Sequence, residues 1–103
     1  MKILVVEPKR QPYLKEVENR LEDLQEIVDG YLEVVQPWND KILLVCNEEG
    51  KITQRHKPNR VIRADGGGED IIFGTFFLCG YDGCDFSDIP EDLMEKYQNK
   101  LAI

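Results

Sequence analysis

The sequence predicts an α+β fold, with a small mixed or mostly antiparallel sheet and two helices that cover one face of it. Residues 71–79 form the most apolar run in the chain and are rich in β-branched and aromatic types, which is typical of a strand buried on both faces. Apolar residues recur at steps of three and four from Leu14 to Val28. This spacing predicts an amphipathic helix at about residues 12–29, packed across one face of the sheet.

Local signals place the remaining elements along the chain. Pro8 stops an opening apolar strand, and Pro12 is suited to the first turn of a helix because its missing N–H has no intrahelical partner there. Gly74 lies inside the central run and indicates a bulge or a close approach by another backbone. Asp88 or Ser87 is the expected cap of the last helix. The predicted order is β-α-β-β-(β)-β-β-α, with strands at 2–7, 31–35, 41–46, 61–63 and 71–79, a short optional strand at 51–53, and helices at about 12–29 and 91–101.

Bulk properties predict one domain, residues 1–103, in a cytoplasmic protein. A net charge of -7 repels anionic membranes and nucleic acid, which argues against direct DNA binding. Three cysteines without a C-x-x-C pair favour reduced thiols over a disulfide framework. Only four apolar residues follow Lys2 before Glu7, too few for a signal peptide or a membrane anchor.

One basic window contrasts with the acidic remainder of the chain. Five of the 13 lysines and arginines lie between residues 51 and 63 with the only histidine and no acid, which leaves eight basic against 20 acidic residues elsewhere. Arginine presents a planar fork of donors that suits phosphate, an asparagine amide can recognise a base or ribose edge, and an indole can stack on a base. The predicted ligand-binding residues are Arg55, Lys57, Asn59, Arg60, Arg63 and Trp38. The alternatives are that the cations pair with the protein's own acids and that Trp38 caps the core.

No catalytic residues, metal site or cofactor are predicted. The chain has a single histidine, no nucleophile elbow and no recognisable frame of paired carboxylates. Cys46 and Cys79 lie in apolar strands, where cysteine behaves as a small hydrophobic residue instead of a zinc ligand. The glycine triplet at 66–68 lacks the Lys-Ser/Thr ending of a phosphate loop.

Several segments resemble an uncharacterised family over nearly the whole chain. They are residues 3–8, 29–35, 45–51, 58–60 and 72–76, and the family is domain of unknown function 3846. Its members occur in bacteria, phages and conjugative elements, sometimes beside antirestriction-type genes. The resemblance therefore implies an accessory protein of a phage or mobile element, without an established activity. Asn59 and Arg60 stand in the family's most distinctive motif, which coincides with the basic window.

Two functional hypotheses follow, and both are non-enzymatic. In the first, the protein sequesters an anionic small molecule such as a (cyclic) nucleotide defence signal, and Tyr31 is a further residue that could stack on it. If the protein forms a homo-oligomer, the ligand pocket could lie between two copies. In the second, it inhibits a host defence protein, a nuclease or restriction enzyme, by nucleic-acid mimicry. Its acidic face then comprises Glu16, Glu18, Glu22, Asp23, Glu26, Asp82, Asp85 and Asp88. The remaining alternative is an accessory domain without a ligand.

Overall fold

A computed structural model describes residues 1–50 and 56–103, and these ranges form eight strands and two helices. In neither range is there a helix with the length and apolar content needed to cross a membrane. The predicted short strand at 51–53 lies outside the described residues. The elements are β1 (Lys2–Val6), β2 (Tyr13–Glu16), α1 (Leu21–Val28), β3 (Leu32–Val35), β4 (Leu43–Asn47), β5 (Pro58–Arg63), β6 (Glu69–Phe73), β7 (Phe76–Asp82), β8 (Asp85–Ser87) and α2 (Glu91–Lys100).

The main sheet has six strands and is built around β7. Its order is β2-β1-β7-β4-β3, with β8 folded back on the end of β7, and every described pair is antiparallel. The first four residues of β7 are completely buried, as expected of a strand covered on both faces. The α+β class is thus confirmed, and the strands predicted at 31–35 and 41–46 are present as β3 and β4, which pair with each other.

The predicted central strand at 71–79 is two strands, because the chain breaks at Gly74. Its φ of +78° is a left-handed conformation that favours glycine, and a Cβ there would lie 2.9 Å from Cγ of His56. The part before Gly74 becomes β6 and pairs with β5 in a separate two-stranded hairpin. Gly74 therefore marks a close approach, as predicted, but by a side chain, and it ends a strand instead of bending one.

The predicted helix at 12–29 is wrong over its first half. Tyr13–Glu16 is strand β2, which pairs with β1 from Lys2↔Glu16 to Val5↔Tyr13, and only Leu21–Val28 is helical. Leu14 and Leu21, two members of the predicted stripe, are exposed at 39% and 59%. Pairing with β1 satisfies the backbone of β2 along a sheet edge, and this tertiary interaction overrides the local helical pattern.

The two helices cover opposite faces of the sheet, which corrects the expectation of one covered face. Strand alternation divides the buried side chains into two clusters. One cluster lies under α1 and contains Ile3, Val5, Leu24, Val28, Val45, Phe77 and Cys79. The other is covered by α2 and the β5–β6 hairpin and contains Leu4, Val6, Trp38, Ile42, Leu44, Cys46, Ile62, Ile72, Phe76, Leu78, Ile89, Tyr97 and Leu101.

Three smaller expectations also change. Strand β8 lies between the predicted strand at 71–79 and the predicted helix at 91–101, where no element was expected, and β5 begins at Pro58, before the strand predicted at 61–63. The N-cap of α2 is Pro90, with no side-chain cap. The carboxylate of Asp88 instead accepts a hydrogen bond from the Lys2 main-chain N–H at 2.8 Å, which ties the segment before α2 to β1.

Gly74→Ala is expected to destabilise the protein by about 3 kcal/mol, because left-handed strain and crowding against His56 add together. Gly83→Ala is the matched control, since Gly83 also has a positive φ but nothing lies within 4 Å of its added Cβ. It should lose only about 1 kcal/mol. Urea unfolding of both variants measures the difference. Equal losses of unfolding free energy in the two variants would contradict crowding of the added Cβ against His56.

Candidate functional site

The guanidinium of Arg60 binds carbonyl oxygens from separate parts of the chain. Its Nε donates to the carbonyl of Leu101 at 2.8 Å, just after α2, and Nη2 donates to the carbonyl of Arg10 at 2.6 Å, in the turn after β1. Nη1 donates to Oδ1 of Asn59 at 2.6 Å, with longer contacts to the carbonyls of Asn59 and Glu7. Burial lowers the pKa of Arg60. The side chain predicted to clamp phosphate thus connects β5 to two other elements.

Asn59 uses both ends of its amide inside the fold. Its Nδ2 donates to the carbonyl of Val6 at 2.9 Å and to that of Gly74 at 2.8 Å, while Oδ1 accepts from Arg60. The residue sits at a register irregularity between Pro58 and Arg60, which releases its side chain from regular alternation. Recognition of a base or ribose edge would require these internal bonds to break.

Trp38 belongs to the core, which was the alternative to ligand stacking. It is 3% exposed, and its ring centroid lies 4.8 Å from that of Tyr97. Its Nε1 donates to the carbonyl of Arg63 at 3.2 Å, so the indole links α2 to β5. The ammonium group of Lys100 lies 5.8 Å from the ring centroid.

The other predicted residues lie apart from this internal network. Arg63 is exposed and forms an ion pair across the hairpin with Glu69. The side chain of Lys57 is also exposed. Arg55 lies outside the described residues. Within residues 57–63, Asn59 and Arg60 therefore bond to other parts of the chain, whereas Lys57 and Arg63 are exposed. The assignment of these residues to an anion site stays a prediction.

A second polar cluster fixes α2 beside Trp38. One carboxylate oxygen of Asp40 accepts from Nζ of Lys96 and from the hydroxyl of Tyr97, both at 2.6 Å. The hydrogen bonds from Lys96 and Tyr97 lower the pKa of Asp40. Burial, followed by the hydrogen bond to Asp40, raises the pKa of Tyr97. Both shifts keep Asp40 ionised and Tyr97 protonated at neutral pH, which preserves the hydrogen bond between them.

An acidic cleft of about 360 Å³ opens between β2 and α1. It combines carboxylates with two half-buried apolar side chains, and its lining residues are Lys15, Val17, Glu18, Asp23, Glu26 and Ile27. Asp23 accepts from Nε of Arg20 at 2.8 Å, whereas Glu18 and Glu26 are exposed at the cleft. Sequence reasoning missed this cleft because one wall is β2, which was predicted as helix.

The acidic face predicted for nucleic-acid mimicry is divided in the structure. Glu22, Asp23 and Glu26 belong to α1, and Glu18 lies just before it. Asp82 and Asp85 are direct partners in the β7–β8 hairpin, and alternation places them on the side opposite Phe86, which packs under α1. The carboxylate of Glu16 lies 3.5 Å from the N-terminal amine. Only about half of the predicted set therefore contributes to one surface.

The comparisons with known proteins identify a family without supplying an activity. Residues 1–102 match the family described as Domain of unknown function (DUF3846), so the chain belongs to that family. This confirms the resemblance drawn from the sequence segments. No curated protein and no solved structure matches the chain significantly.

Arg60→Ala is expected to lower the free energy of unfolding by about 3 kcal/mol, because it removes three charge-assisted bonds and takes the donor away from the part-buried oxygens of Leu101 and Asn59. Arg60→Lys should restore only part of this loss, since an ammonium group cannot reproduce the guanidinium fork. Arg63→Ala, which removes an exposed ion pair from the same strand, is the control and should change stability by less than about 1 kcal/mol. Urea unfolding tests the set, and equal effects at positions 60 and 63 would contradict the structural role of Arg60.

Proposed function

We propose that this member of the DUF3846 family is a non-enzymatic binding protein that holds basic side chains of a protein partner in the acidic cleft between β2 and α1. The proposal rests on the cleft itself, in which Glu18 and Glu26 are exposed beside half-buried Val17 and Ile27. Asp23, which is bonded to Arg20, and Lys15 complete its lining. A lysine or arginine fits such a cleft, because its aliphatic stem can pack on the apolar side chains while its charged head binds the carboxylates at the rim.

The charge of the protein supports the same partner chemistry. With a net charge of -7, the molecule attracts basic surfaces from a distance, and complementary potentials accelerate association. Helix α1 adds to this field because Glu22 and Glu26 are exposed along it and its last turn has no basic residue.

The partner class that fits best is a nuclease or restriction enzyme of the host cytoplasm. Such enzymes bind nucleic-acid phosphates with lysines and arginines, and these side chains suit an acidic cleft. The protein then acts as an accessory inhibitor of a phage or mobile element in counter-defence. Because the carboxylates are divided between two surfaces, the proposed recognition is local capture of basic side chains instead of imitation of an extended duplex.

The double variant Glu18→Gln/Glu26→Gln tests the proposal. Tagged wild-type protein should capture a nucleic-acid-binding enzyme from host lysate at low salt, and the variant should bind the purified enzyme at least about tenfold more weakly, because charge-assisted hydrogen bonds are lost. Glu91→Gln/Glu95→Gln on α2 is the matched control, with the same change in net charge, and should bind like the wild type. Affinity should fall steeply as salt rises.

Equal weakening by both double variants would assign binding to net charge and contradict a role for the cleft. A complex that is insensitive to salt would contradict the electrostatic mechanism.

A second candidate function, sequestration of an anionic small molecule such as a (cyclic) nucleotide, has one supporting observation. A cleft of about 340 Å³ between β5 and the end of α2 contains Arg63 and Lys100 beside Trp38. A thermal-shift screen with mono-, cyclic and dinucleotides, including ADP-ribose derivatives, tests it, since ligand bound to the folded state raises the melting temperature. The shift should disappear in Arg63→Ala/Lys100→Ala. Absence of a shift across the panel, or its persistence in the double variant, contradicts this site.

A further inference from the structure

The outer face of the β5–β6 hairpin carries an apolar surface that is exposed among the described residues, 1–50 and 56–103. Cross-strand partners share one face of an antiparallel pair, and two such pairs are apolar here: Pro58 with Phe73, and Val61 with Ile71. Val61 and Ile71 are 55% and 42% exposed. The opposite face of the same hairpin is buried in the core through Ile62 and Ile72, so the hairpin is apolar on both faces.

We propose that a second copy of this chain binds to this outer face and forms a symmetric dimer. Large apolar side chains grouped on an exposed surface commonly mark a protein interface. Here the group borders a cleft of about 410 Å³, lined by Val61, Glu69, Asp70, Ile71 and Phe73. A two-fold axis presents the same surface from both copies, so Val61 and Ile71 of each protomer bury those of the other.

The charges on the two strands argue for a second copy and select its orientation. A cation, Arg63, lies on the β5 side of this face, with Lys57 just before the strand, while Glu69 lies on the β6 side. A two-fold axis parallel to the strands places β5 of one copy over β6 of the other, so opposite charges meet. An axis in the interface but perpendicular to the strands would superimpose β5 on β5 and bring like charges together.

This interface is separate from the acidic cleft of the proposed function. The cleft lies beside α1, whereas the hairpin covers the other face of the sheet. The area of the proposed dimer interface points to a weak dimer, because one face of a two-stranded hairpin buries less than the roughly 1,200 Å² of total surface found in stable complexes. Because the hairpin and the cleft lie on different faces of the sheet, dimerisation is independent of any partner that binds in the cleft.

Sedimentation velocity from about 10 μM to about 1 mM, a range in which weak complexes dissociate, tests the proposal with the full chain. The wild type should shift from monomer to dimer as its concentration rises. Val61→Asp should remain monomeric, because a desolvated carboxylate would lie in the apolar centre. Val34→Asp is the matched control, since Val34 is a 45% exposed strand residue on the α1 side, and it should dimerise like the wild type.

A wild type that is monomeric throughout, or a dimer that persists in Val61→Asp, overturns the proposal. Charge exchange gives an independent test that leaves the apolar side chains in place. Arg63→Glu should weaken dimerisation at least about fivefold, and Arg63→Glu/Glu69→Arg should restore it because both ion-pair partners are exchanged. Unchanged dimerisation in Arg63→Glu, or no recovery in the double variant, overturns the proposed orientation even if Val61→Asp fails to fold.

Discussion

The hydrogen bonds of the Arg60 guanidinium hold together the main sheet, the β5–β6 hairpin and α2, and the rest of the arrangement depends on them. Its guanidinium contacts the carbonyl of Leu101 after α2 and that of Arg10 in the β1–β2 turn, while β5 carries its main chain. Helix C-termini concentrate unpaired carbonyl dipoles, so a cation there is favourable and offsets part of its desolvation. Asn59 completes the connection by binding the ends of β1 and β6. Together these residues fasten the β5–β6 hairpin over the core.

This arrangement gives the charge asymmetry of the sequence a physical meaning. A basic window in an acidic chain suggests a ligand site, yet Arg60 is engaged with the protein's own carbonyls and Arg63 with Glu69. The exposed acidic groups around α1 then form the surface with a clear electrostatic preference. For this reason we propose capture of cationic side chains as the function and keep anion binding as the second candidate.

The features predicted well from the sequence are those set by local composition. Strong, short-range patterns predicted β3, β4 and α2, and they also predicted the part of the 71–79 run after Gly74, which belongs to β7. The helix at 12–29 failed because β2 is defined by a partner elsewhere in the chain, although Pro8-Lys9-Arg10 after a short strand was a turn signal that could have revealed it. For Arg60, sequence alone cannot separate the two roles, since the same donors suit a phosphate and a set of carbonyls. The acidic cleft forms only where β2 and α1 lie side by side, so it also could not be predicted from the sequence pattern.

The most direct test of cation capture by the acidic cleft is a pair of titrations of ¹⁵N-labelled protein followed by two-dimensional NMR, one with an arginine-rich peptide and one with a nucleotide mixture. The peptide serves as a probe for cationic side chains. We expect the peptide to shift the amide signals of residues 15–27 around the acidic cleft and its affinity to fall steeply as salt rises. These shifts should disappear in Glu18→Gln/Glu26→Gln. Nucleotide-dependent shifts concentrated at residues 57–63, with no peptide response at the cleft, would contradict cation capture and restore the basic window as the binding site.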